Sequence, residues 1–122
     1  MSVPLVVSSI MLILLGIIHS FLGERLIFRG LLSRLMQPER PVLSAHKVRV
    51  LRSAWHLVTL LGVGLGAVLL AVAIPAFGNV ASTARIIAIT TLICALYWGV
   101  GTRGRHPAWI VFLLVAALCW WG

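Results

Sequence analysis

A chain of 122 residues that is 61% hydrophobic and only 10% charged cannot give a soluble domain its usual surface, in which about a quarter of residues carry charge. One membrane domain, residues 1–122, takes up nearly the whole length, so no separate soluble catalytic domain fits. Ten Lys and Arg face only Glu24 and Glu39, a balance that in a soluble protein would suggest nucleic acid, but no basic segment stands clear of the apolar spans, and anionic lipid headgroups are the partner instead.

The first apolar run extends from Pro4 to about Leu22. A hydrocarbon layer of about 30 Å needs around 20 helical residues, so this run spans. It lacks a basic leader and a small-residue cleavage site, which predicts that it is retained. From Glu24 to Met36, Phe28, Leu31, Leu32, Leu35 and Met36 recur at helical spacing among Arg25, Arg29, Ser33 and Arg34. That pattern predicts a short interfacial helix lying on the headgroups, with Gly23 or Gly30 supplying a bend. Pro38 and Pro41 then break the chain, and Ser44 is placed to cap the next helix.

That second helix begins with the basic stretch His46 to Arg52 and continues as an apolar run to Ile74. Gly62 and Gly66 give it a GxxxG spacing, which permits close helix contact in lipid. Pro75, Gly78 and Asn79 mark a tight turn, after which Ser82 or Thr83 caps a third helix running to Gly101. The segment GTRGRHP is a short connection, and Pro107 suits the first turn of a fourth helix. That last span reaches only about 22 Å and relies on Trp109, Trp120 and Trp121 as interfacial anchors.

The fold class is therefore an all-α integral membrane protein: four transmembrane helices in an antiparallel bundle, spanning about 4–23, 53–74, 84–101 and 107–121. Nine of the ten basic residues (Arg25, Arg29, Arg34, Arg40, Lys47, Arg49, Arg52, Arg103 and Arg105) fall in or beside the 1–2 and 3–4 connections, and Arg85 alone falls at the opposite side. The positive-inside rule puts those connections in the cytoplasm and both termini outside, as in a multi-pass protein of a bacterial inner membrane. Cys94 and Cys119 sit in apolar runs without a CxxC or metal spacing, and read as small buried hydrophobes.

His19, His46, His56 and His106 all fall on the basic side. His19 and His56 lie within about two helical turns of Arg25 and Arg52, at similar depth on antiparallel neighbours, which predicts that they face each other. Glu24 lies round the helix from His19 and seeks Arg52, Arg103 or Arg105; Glu24 with Arg52 is the expected structural ion pair. Three functional readings compete with a purely structural cluster. In the first, His19, Arg49, Arg52, His56, Arg103 and His106 bind a small anionic or quinone-like ligand, since guanidinium forks match phosphate and carboxylate. In the second, His19 and His56 hold a b-type haem as axial ligands of a membrane electron carrier. The third is a membrane-embedded enzyme or metal site using histidines with Glu24, although no tight ligand motif backs it. The first reading leads, for a non-enzymatic protein acting alone, as a homo-oligomer, or as the accessory subunit of a membrane complex.

Overall fold

The computed structural model describes residues 2–35 and 44–121, which are helical apart from short turns. The elements in order are α1 (Val3–Leu22), a π-helical turn (Gly23–Phe28), α2 (Arg29–Leu35), α3 (Ala45–Ala73), α4 (Val80–Gly101) and α5 (Ala108–Trp121). Three helices are long and apolar enough to cross a membrane: Val3–Leu31, Ala45–Ala73 and Val80–Gly101. The 14-residue α5 is equally apolar but rises only about 21 Å. The predicted break at Pro38 and Pro41 lies outside the described residues, as do Met36, Glu39 and Arg40 and the side chains of Leu32 and Leu35.

Packing follows chain order, α1 against α3, α3 against α4 and α4 against α5. No contact of comparable extent joins α1 to α5 among the described residues, so this antiparallel helical bundle is an open series. The Ser2 amide donates to the Ala73 carbonyl at 3.0 Å, which sets the start of α1 beside the end of α3. The basic end of the molecule therefore gathers the end of α1, the π turn, the start of α3 and the α4–α5 turn.

The interior is inside-out relative to a soluble protein. Buried positions are mostly small: Ser9, Gly16, Gly23, Ser53, Gly64, Gly66, Ala88, Cys94 and Ala95. Large aliphatics such as Met11, Leu15, Val58, Leu65, Leu96 and Leu118 point outward. In lipid no hydrophobic force drives helices together, so close backbone approach and interhelical hydrogen bonds hold them instead. The buried Ser9 hydroxyl donates to the Gly66 carbonyl at 2.7 Å, a contact contributing about 0.6–1.7 kcal/mol in such interiors.

Three local expectations are corrected by the packing, and one is met. Of the expected pair Gly66 makes a close approach but Gly62 meets nothing among the described residues, and Gly64 makes a second approach. Two residues apart on a helix is about 200°, so Gly64 receives Thr90 of α4 while Gly66 receives Ile13 of α1. The third helix starts earlier than Ser82 or Thr83 would allow, because Asn79 caps it, its Oδ1 accepting from the Ser82 amide at 2.7 Å. The second begins at Ala45, capped by the Ser44 hydroxyl as expected, with its basic first turns in helix. Finally, neither Gly23 nor Gly30 bends the chain. The helix continues in αR backbone through the π turn into α2, with Gly23 leaving room for the Trp55 indole.

Candidate functional site

Ser20, Glu24 and Phe28 follow one another by four residues, one above the next on the face that α1 and the π turn offer to α3. Opposite them α3 presents Arg52, Trp55 and His56. The Glu24 carboxylate is clamped through both oxygens: Arg52 Nη2 donates to Oε1 at 2.5 Å and Nε to Oε2 at 2.9 Å. His56 Nε2 lies 3.2 Å from Oε2 as well, and Nδ1 meets the Ser20 hydroxyl. A carboxylate only accepts, so Nε2 carries a proton, and in the neutral ring Nδ1 accepts from the Ser20 hydroxyl. One neutral tautomer thus satisfies the whole chain from hydroxyl to imidazole to carboxylate to guanidinium. Phe28, 1% exposed, closes the cluster from the side, within 6.0 Å of Trp55 and 6.4 Å of His56 by ring centroids.

His19 and His56, expected to face each other, have different partners. The His19 ring stacks on Trp55 at 4.2 Å and 6°, while the Trp55 indole donates to the His19 carbonyl at 3.1 Å. His19 Nε2 is buried and without a partner among the described residues. His56 has both ring nitrogens engaged, so axial ligation of a haem iron would require it to give up Ser20 or Glu24. The pair does not offer two converging free nitrogens. Among the described residues no three His, Cys, Asp or Glu side chains converge as metal ligands.

On the α4 side of Arg52 lies a pocket of about 290 Å³. Arg49, Arg52 and Ser53 of α3 line it together with Tyr97, Val100 and Gly101 of α4 and Arg103 of the following turn. Gly101 leaves room for the Ser53 hydroxyl, which a Cβ there would displace. Arg103 holds a left-handed backbone, φ 52°, and Gly104 follows at φ 69°. The Trp109 indole ties that turn to α5 by donating to the Gly104 carbonyl at 3.3 Å. Arg49 Nε is buried without a partner among the described residues, and Glu24 is the only described carboxylate. The pocket therefore carries positive charge that nothing described around it neutralises.

Of the six residues expected to bind a ligand, Arg49, Arg52 and Arg103 line this pocket together. His56 borders it, with the Tyr97 ring edge-on at 6.3 Å. His19 sits on the far side of α3 against Trp55. His106 turns to α4, packing edge-on against Trp98 at 5.3 Å and accepting from the Ala108 amide at 3.3 Å. Ser20 was missed by sequence reasoning, although its i, i+4 spacing to Glu24 places both on one face. No family model, curated protein or solved structure matches this chain.

Proposed function

We propose that this chain is a multi-pass membrane protein, not an enzyme, that binds a small anionic ligand at the pocket lined by Arg49, Arg52 and Arg103. The carrying observation is the meeting of three guanidinium groups where Glu24 balances only one of them. A guanidinium presents a planar fork of donors that matches phosphate and carboxylate oxygens, and it stays charged at every accessible pH. Ser53 and Tyr97 add hydroxyls to the same wall.

Hydrogen bonds to charged groups contribute about 1.5–3 kcal/mol each, and 1.4 kcal/mol is a factor of ten in affinity. Titration of the detergent-solubilised protein with inorganic phosphate should therefore show affinity falling roughly ten-fold or more in Arg103→Gln and in Arg49→Gln. His46→Ala, outside the pocket lining, should leave it unchanged. Equal affinity in all of these proteins would remove the pocket from the function.

The basic end is assigned to the cytoplasm, with α5 as a fourth crossing that returns the chain to the outside. Nine basic residues against one support this orientation. Reporter fusions at Arg105 should read cytoplasmic and those at Asn79 and Gly122 external. A cytoplasmic signal at Gly122 would leave α5 as a helix that does not cross.

A further inference from the structure

Below the arginine pocket, between the same two helices, lies a second cleft of about 210 Å³ whose lining includes Leu60, Val63, Ala67, Ile86 and Ile93. The two clefts share one face of the α3–α4 pair. On α3, Arg49, Ser53, His56, Leu60, Val63 and Ala67 follow at steps of four, three, four, three and four residues. On α4, Ile86, Thr90, Ile93, Tyr97 and Val100 do the same. Steps of three and four keep residues on one helix face, so these rows form a single groove that is cationic at the basic end and apolar beyond it. From Ser53 to Ala67 the groove runs about 21 Å, longer than the roughly 15 Å of one hydrocarbon leaflet. Ile93 is 47% exposed and Ile89 49%, so the apolar part opens sideways to the lipid.

We infer that the groove holds an anionic lipid whose terminal phosphate sits among Arg49, Arg52 and Arg103 and whose chain lies along Leu60, Val63 and Ile93. This rests on the proposed anion-binding reading and names the ligand class. Charge decides the headgroup. Three guanidinium groups less the Glu24 carboxylate leave two positive charges on the described lining. A phosphate monoester carries about 1.5 to 2 negative charges at neutral pH, whereas a phosphodiester or a carboxylate carries one. The apolar cleft decides the tail, because a free anion would leave it without an occupant. A lipid enters it laterally, exchanging one apolar neighbour for another.

The test titrates the full chain in a non-ionic detergent with dioleoyl phosphatidic acid, with dioleoyl phosphatidylglycerol, and separately with inorganic phosphate. Phosphatidic acid should bind at least ten-fold more tightly than phosphatidylglycerol. Leu60→Trp and Ile93→Trp, which fill the groove from different helices, should each weaken phosphatidic acid roughly ten-fold and leave inorganic phosphate unchanged. Arg103→Gln should weaken both. Two groove positions keep the test decisive if one variant fails to fold. If both tryptophan variants bind phosphatidic acid as the parent does while Arg103→Gln weakens both probes, the lipid is wrong and the anion site stands. If Arg103→Gln changes neither probe, the anion site itself is wrong, and the lipid inference goes with it.

Discussion

Glu24→Ala should destabilise the protein by about 1.5–3 kcal/mol, measured by denaturant titration in mixed micelles with far-UV circular dichroism as readout. The side chain receives two charge-assisted bonds from Arg52 and one from His56, and it joins the π turn to α3 at the basic end. Its removal leaves a guanidinium and an imidazole N–H without their acceptor. A fully buried pair broken this way would lose about 3–5 kcal/mol. Here the Glu24 and Arg52 side chains are 31% and 46% exposed, so water and headgroups recover part of the loss. A double-mutant cycle with Arg52→Ala should give a coupling of about 1 kcal/mol or more. A coupling near zero would mean the bridge does not join the helices.

Gly23→Ala should be nearly as damaging, at about 1–3 kcal/mol, from a single added methyl group. The Cβ would fall inside the Trp55 indole. That ring has nowhere to go, being stacked on His19, bonded to the His19 carbonyl and flanked by Phe28. The control is Gly30→Ala, seven residues along the same helical stretch, where nothing among the described residues lies within 4 Å. There the methyl reduces the freedom of the unfolded backbone without a clash, and stability should hold or rise by about 0.5–1 kcal/mol. Opposite signs from one substitution type are expected in the same denaturation assay, with a changed near-UV signal in Gly23→Ala alone. Equal effects would mean Gly23 acts through helix propensity and not through the space it leaves.

The sequence carried much of the membrane architecture, because run length and apolar composition are set by the bilayer itself. It also carried the depth of the polar residues, which is only a count of 1.5 Å steps from the basic markers. What it did not carry was azimuth. His19 and His56 are at similar depth, but the rotation of α1 against α3 turns His19 to Trp55 and His56 to Ser20 and Glu24. Three arginines were within reach of Glu24, and the relative placement of the helices brings the expected partner, Arg52, onto its carboxylate. Gly23 shows the same limit: read alone it is a flexible residue, and only the indole arriving from α3 makes it a vacancy. The start of α4 was missed for another reason. Hydropathy sees where apolar residues begin, while Asn79 starts the helix by bonding the orphan Ser82 amide.

The left-handed backbone at Arg103 sets two demands against each other. A residue with a Cβ is disfavoured there by about 1–2 kcal/mol, and glycine would relieve that strain. Arg103→Gly should therefore make the folded chain harder to unfold while, on the proposed reading, weakening anion binding. Selection for thermal endurance alone would enrich that substitution early and lose the proposed anion site on the way. Stability and affinity measured together across substitutions at this one position should fall along opposing trends, which a residue with a purely architectural role would not produce.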